Sequence, residues 1–303
     1  MKIGIFQGGA GDGSIDAYVA AARQAAADGF HTMWLPQLGG IDAMTVIAVA
    51  GREVPGLEFG TSVVPTYPRH PIAMAMQALT TQAATGGRFH LGIGLSHQSI
   101  IEGNYALSFA KPVRHLREYL DVLMPLVHGG VTNAAGETLG GHISLIPIPG
   151  SDRLPVILAA LGAQTLGLAG RIADGTITWM TAPEVIVDHT VPVINAAAEG
   201  AGRTERPRVI VALPVCVTSD VDVVRKGAAK AFARYGTLPS YRAMLARAGL
   251  DGPGDAALIG SEDEVGSRIQ ILRDAGTDEF VASVFAKTPE DQSRTKALLQ
   301  SFL

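Results

Sequence analysis

The chain has little of what marks a stapled, membrane-spanning or nucleic-acid-binding protein. One cysteine, Cys216, in 303 residues excludes an intrachain disulfide framework. It lies inside the apolar run Val209–Val217, where a free thiol packs as a small inert hydrophobe. Charged residues make up only 17% of the sequence, the net charge is −4 and no Lys/Arg run occurs. No basic field is therefore available to hold nucleic acid. No apolar run approaches the ~20 residues of a membrane span. The opening M-K-I-G-I-F-Q-G-G lacks the apolar region and cleavage site of a signal peptide. The expectation is a soluble, cytoplasmic protein without nucleic-acid or membrane partners. The eight histidines show no close metal-ligand spacing, so no metal site is expected. His31, His90, His115, His128, His142 and His189 read as structural or surface residues.

What is present is a repeating pattern, 47% hydrophobic, of short apolar strands and longer helical segments. Strands are expected at Lys2–Gln7, His31–Gln37, Leu57–Val64, Arg88–Leu95, Leu154–Leu161, Thr176–Met180, Val209–Val217 and Glu279–Phe285. Helices are expected at Ser14–Asp28, Ile41–Arg52, Ile72–Ala84, Val113–His128, Gln164–Ala173, Pro183–Ala201, Val221–Tyr235, Glu262–Ala275 and Pro289–Phe302. Ser14 is the expected N-cap of the first helix and Gly29 its C-terminal stop.

The strands are continuous apolar runs, as in a parallel sheet buried on both faces. About eight β-then-α units predict the α/β class, a TIM (β/α)8 barrel as a single domain over 1–303. The alternative is an open doubly wound sheet, but no β-α turn carries its full glycine fingerprint. Three stretches exceed the repeat: Gly94–Pro112 after the fourth strand, Gly129–Asp152 before the fifth and Gly236–Pro253 before the eighth. The second has possible short strands around Glu137–Ile146, and the third carries Tyr241 and Arg242. Long ordered loops of this kind usually serve function.

A TIM-barrel site lies at the C-terminal ends of the strands. Here those ends are rich in Gly, Ser, Thr and apolar residues. They hold no Asp/Glu pair for glycoside hydrolysis and no early or middle lysine for a Schiff base. The fourth strand runs R-F-H-L-G-I-G-L-S-H-Q-S over Arg88–Ser99. It misses a dinucleotide fingerprint because His97 stands where a third glycine belongs, and a nucleophile elbow because Gln98 does. Gly92 and Gly94 instead read as thin places in the wall that bring the backbone of Leu95 and Ser96 near a ring. Ser96 is a hydrogen-bonding group rather than a nucleophile. A weakly charged, backbone-rich pocket suits a flat conjugated cofactor that carries the chemistry itself.

The chain resembles the luciferase-like monooxygenase superfamily, and within it the actinobacterial coenzyme F420-dependent oxidoreductases. The resemblance rests on D-G-F-H-T-M-W-L-P (28–36), L-E-F-G-T-S-V-V-P-T-Y-P-R-H-P (57–71), G-G-R-F-H-L-G-I-G-L-S-H (86–97), P-V-I-L-A-A-L-G-A-Q-T-L-G-L-A-G-R-I-A-D-G-T-I-T-W (155–179) and D-A-G-T-D-E-F (274–280). It implies a bulge with a non-prolyl cis peptide at Ser62-Val63, beneath the cofactor ring. It also implies a phosphate-binding turn at Leu161-Gly162-Ala163-Gln164-Thr165, physically a helix N-terminus that attracts an anion. The cofactor contacts it implies are Gln7, Gln37, Ser62, Val63, Thr66, Gly94, Leu95, Ser96, His97, Ala160, Leu161, Gly162, Gln164 and Thr165.

His97 matches a position that carries an acid/base carboxylate in some members, and His70 is a second candidate. Gln37 and Leu38 stand where the family's alcohol and sugar-phosphate dehydrogenases have Asp-His, so an amide replaces the proton-transfer group. The reading is a reductase passing hydride from F420 to an activated C=C, C=N or C=O of a small molecule. Trp179, Met180, Thr181 and the insertions would form the substrate wall. Lys111, Arg114 and Arg69 are candidates for the cofactor's polyglutamate tail. The alternatives are an FMN-dependent monooxygenase and a non-catalytic flavin-binding barrel. The resemblance also implies a homodimer.

Overall fold

A ring of eight parallel strands encloses the centre of the molecule. The computed structural model describes residues 1–303. The strands are β1 (Lys2–Phe6), β2 (Thr32–Leu35), β3 (Glu58–Thr61), β4 (Val64–Pro65), β5 (Phe89–Gly94), β6 (Val131–Ala135), β7 (Gly140–Ser144), β8 (Val156–Ala159), β9 (Gly175–Trp179), β10 (Arg208–Val217), β11 (Leu258–Gly260) and β12 (Glu279–Val284). The barrel closes in the order β1-β2-β3-β5-β8-β9-β10-β12 and back to β1, every pair parallel. This is the TIM barrel expected of eight buried parallel strands. Its outer helices are α1 (Ile15–Ala27), α2 (Ala43–Glu53), α3 (Pro71–Ala84), α5 (Pro112–Val127), α6 (Ala163–Ile172), α8 (Val191–Gly200), α9 (Val221–Ala231), α11 (Glu262–Asp274) and α12 (Pro289–Gln300). Ser14 caps α1, and Gly29 follows it with φ of +86°.

Strand side chains alternate between two cores. Ile3, Met33, Phe59, Leu91, Val156, Val211 and Phe280 pack outward against the helices. Trp34, Ile157, Ile177, Ile210, Ala212 and Val281 fill the barrel interior, with Phe6, Val63, Ala159 and Trp179 packed on them. Gly60 leaves room for the Trp34 indole, since a Cβ there would stand 2.3 Å from it.

Below that layer, the strand starts carry a polar floor. Glu279 is fully buried and accepts from Thr32 Oγ1, Trp34 Nε1 at 2.7 Å and Arg208 Nη2 at 2.9 Å. Arg208 Nη1 lies 3.3 Å from His90 Nδ1, and His90 Nε2 lies 2.9 Å from Glu58. Because guanidinium only donates, His90 Nδ1 accepts, and the ring is the neutral tautomer that donates to Glu58 from Nε2. Lys2 closes the chain on Glu58 at 2.6 Å.

Several groups tie stability to pH, Glu58 and His115 among those with the largest shifts. The hydrogen bond from His90, opposed by burial and aided by Lys2, holds Glu58 at about 2, below its ordinary 4.5. Burial holds His115 at about 4, below 6.5. A depressed imidazole is stabilising above its unfolded value and loses that contribution as pH falls from 6.5 to about 4; Glu58 follows from 4.5 to about 2. Urea midpoints are expected to drop in both windows, and Glu58→Gln should shrink the lower one.

The insertions hold more structure than their composition suggested. The 94–112 stretch contains α4 (Gln98–Tyr105), of which only Ile101 is buried. The 129–152 stretch forms the antiparallel pair β6–β7, starting earlier than the expected strands. The stretch before the last strand carries a 3-10 turn (Ala233–Thr237), α10 (Pro239–Arg247), a second 3-10 turn (Pro253–Ala256) and β11. β11 is only three residues long and pairs with the far end of β10 outside the ring, too short for any hydrophobic period to reveal. The helix expected over Pro183–Ala201 splits into α7 (Pro183–Val185), a π turn (Ile186–Thr190) and α8. Pro192 has no N–H to continue the α pattern through that turn. No helix is long and apolar enough to cross a membrane.

Candidate functional site

The strand ends converge on one mouth. At the end of β3 the chain bulges before β4, and the Ser62–Val63 peptide bond is cis, as the resemblance implies. The bulge is pinned by Thr61, whose buried hydroxyl donates to Gly92 O at 2.8 Å and accepts from Gly92 N at 2.9 Å. The two glycines make room for that bulge. A Cβ on Gly92 would stand 1.7 Å from Thr61 O, and one on Gly94 would stand 2.8 Å from Val63. Gly92 and Gly94 are thin to admit the neighbouring bulge. Ser96, just beyond β5, holds φ of +59°, a conformation that costs a residue with a Cβ about 1–2 kcal/mol.

His97 follows as the N-cap residue of α4, with its ring making no cap hydrogen bond. It is half-buried and tilted against Tyr241, ring centroids 5.9 Å apart. Burial, and then the Arg234 charge, push its imidazole below its ordinary value. Gln37 is oriented by its backbone surroundings. Its Oε1 accepts from the Ala43 N–H at 2.8 Å, in the first turn of α2, which leaves the amide NH2 as the end free to meet a ligand. Gln7 extends from β1, with its backbone N–H on Trp34 O and its side chain on Gly9 O. Ser62 donates its backbone N–H to Leu35 O.

After β8, Ala160 is buried, and Leu161 leads into α6. Gly162 caps α6 in extended conformation with no side-chain hydrogen bond, and the space around its missing Cβ is empty. The N–H groups of Ala163, Gln164 and Thr165 have no partner in the chain. Thr165 Oγ1 folds back onto Gly162 O at 2.9 Å. The turn is held from behind by His189, buried in the π turn, whose Nε2 donates to Leu161 O at 2.9 Å. His189 was read from sequence as structural or surface; its link to this turn is long-range and had no local signal. The result is a cradle of oriented N–H donors, which fits a cofactor phosphate by both geometry and dipole.

Aromatic residues cover the mouth. Phe6 at the end of β1 stacks on Trp179 at the end of β9, centroids 4.8 Å and planes 19° apart. Trp179 meets Phe232 and Tyr235 edge-on, Tyr235 meets Tyr241, and Phe232 meets Phe285 beyond β12. Trp179 Nε1 is buried without a well-formed hydrogen bond. Phe6, Phe232 and Tyr235 were missed by sequence reasoning. The signal available was the concentration of aromatics in Phe232–Tyr241, within a chain only 6% aromatic. A groove of about 530 Å³ opens along α10, but none of its lining residues belongs to a barrel strand.

The other candidate residues have partners of their own. His70 is exposed at the start of α3, where its Nδ1 accepts from Ile72 N–H at 3.3 Å as a helix cap. Thr66 is buried, with its hydroxyl 3.0 Å from His115 Nε2. Leu95 packs against the outer core. Met180, with φ of +51°, is buried against Leu245 and Ala256, and Thr181 is buried beside it. The three cations considered for an acidic tail are all engaged: Lys111 and Arg114 pair with Glu137, and Arg69 pairs with Asp42 at 2.9 Å.

Fold and mouth together define a (β/α)8 barrel whose strand ends open on an aromatic-lined mouth. The chain belongs to the luciferase-like monooxygenase family, whose model matches residues 1–282. A Mycobacterium tuberculosis protein provisionally named as a coenzyme F420-dependent oxidoreductase is 31% identical over 228 residues, 71% of this chain and 63% of its own length. The 5,10-methylenetetrahydromethanopterin reductase of Methanolobus tindarius is 25% identical over 92% of this chain and 85% of its own. The fold matches the coenzyme F420-dependent tetrahydromethanopterin reductase of Methanopyrus kandleri with a TM-score of 0.80 at 20% identity, covering 99% and 97% of the two chains. It also matches the FMN-bound oxygenating constituent of 3,6-diketocamphane monooxygenase from Pseudomonas putida, with a TM-score of 0.77 at 16% identity, covering 99% and 96%.

Proposed function

We infer that the protein is an F420-dependent reductase of a small organic molecule. The observation that carries this is the start of α6, whose first N–H groups lack a side-chain cap, at the same end of the barrel as the bulge after β3 and His97. Bound there, a reduced deazaflavin would supply a hydride. The remaining work falls to this chain. The turn 161–165 takes the phosphate, and the bulge at Ser62–Val63 supports the ring. Gln37 can only donate through its NH2, so it polarises a carbonyl and takes no proton. His97 or a water delivers a proton to the reduced substrate. Replacement of the Asp-His pair of the alcohol and sugar-phosphate dehydrogenases by Gln37-Leu38 favours reduction over alcohol oxidation. A homodimer is the assembly that accompanies this reading.

One observation favours FMN as a second reading. All three candidate partners for an acidic tail are already paired with carboxylates, and FMN carries no such tail.

Gly162→Asp tests the cradle. The backbone there is extended and the added Cβ meets nothing, so the carboxylate can cap α6 itself. Stability should be unchanged or raised by a few tenths of a kcal/mol, on the order of the Gly-to-Asp cap difference. F420 affinity should fall roughly tenfold or more, because like charges now share the turn. Unchanged affinity in the folded variant would rule out this turn as the phosphate site.

A further inference from the structure

We propose that the mouth takes a flat, uncharged, conjugated carbonyl compound, such as a quinone or an enone. This rests on the reductase reading above and goes beyond it by naming the substrate class. Six aromatic side chains from three strand ends and the insertion after β10 meet there, and their ring faces and edges suit a flat guest.

The charge pattern narrows the guest further. No carboxylate belongs to this cluster. The two nearby cations, Arg234 and Lys287, are both exposed, and Lys287 lies over the Phe285 ring, 4.6 Å from its centroid. A phosphate or carboxylate carried into the mouth would lose its water and gain no buried partner. The polar atoms on offer are neutral: the Trp179 indole N–H, which faces the Tyr235 hydroxyl, the Tyr241 hydroxyl and the His97 ring. Neutral donors of this kind match a carbonyl oxygen, which accepts and carries no charge.

The same groups suit the chemistry. In an enone, hydride adds to the β-carbon and the electron pair of the C=C shifts to the carbonyl as an enolate. A proton from His97 or water then reaches the α-carbon. The two electrons come from a reduced deazaflavin or flavin, which is oxidised as the C=C becomes a single bond.

The test is calorimetric titration of the full chain with 1,4-naphthoquinone and with 1,4-naphthoquinone-2-sulfonate, which share a ring system and differ by one anionic group. The neutral quinone should bind at least tenfold more tightly, and Trp179→Leu should remove most of that preference. Should that variant fail to fold, Tyr241→Leu on the insertion serves the same purpose. Equal or tighter binding of the sulfonate, or no binding of either, overturns the proposal. A parallel F420 titration of the same preparation separates the two ideas. Cofactor binding with a sulfonate preference defeats only the substrate class, whereas quinone binding without cofactor binding defeats the reductase reading.

Discussion

Replacing His97 by Ala is expected to lower kcat by about 10²–10⁴-fold, the usual loss when a positioned acid is removed, with little change in KM. The imidazole stands free of protein hydrogen bonds at the end of β5, and burial followed by the Arg234 charge depresses its pKa. At pH 7 most of the population is therefore neutral, and the protonated donor grows as pH falls. The wild-type rate should climb as pH drops through 6.5 and level off below the depressed value, while the His97→Ala rate stays flat over that range. A ring with a merely structural role would lower the rate in the variant without altering the shape of the profile. Steady-state rates from pH 5 to 8 with reduced cofactor check this; a variant that keeps full activity would remove His97 from the mechanism.

The second large effect is on stability. Glu279→Leu should cost about 3–5 kcal/mol, the penalty for removing one partner of a buried ion pair. Glu279 has no exposed surface and holds three donors from two other strands, so its loss leaves Arg208 without its carboxylate and the Thr32 hydroxyl without an acceptor, while Trp34 Nε1 keeps only Thr32 Oγ1 at 3.2 Å. The double variant Glu279→Leu with Arg208→Met should recover much of that loss, because both charges are then gone. Urea denaturation of the wild type, the single and the double variant reads out the sequence of effects. A single variant within about 1 kcal/mol of wild type, the range of surface pairs, would show that the floor network is solvated.

Much of the fold was legible because its main signal is periodic. Strands such as Val209–Val217 read as unbroken apolar runs, and a barrel buries strands on both faces. The caps at Ser14 and Gly29 were legible for the same local reason. What escaped was short or long-range. β11 is three residues long, and α4 presents one buried side chain, so neither carries a usable period. The site divides along the same line. The turn at 161–165 and the bulge at 62–63 have local sequence signatures. The hydrogen bond from His189 to Leu161, the pairing of Lys111 and Arg114 with Glu137, and the filling of Gly92 by Thr61 join distant parts of the chain. Glu279 and Arg208 lie 71 residues apart, and only barrel closure sets them side by side.

The most direct test of the central claim is equilibrium titration of the purified protein with F420 and, separately, with FMN, following cofactor fluorescence. The account predicts saturable F420 binding that is weakened by Gly162→Asp and a clearly poorer response to FMN. Tight FMN binding with no response to F420 would contradict it.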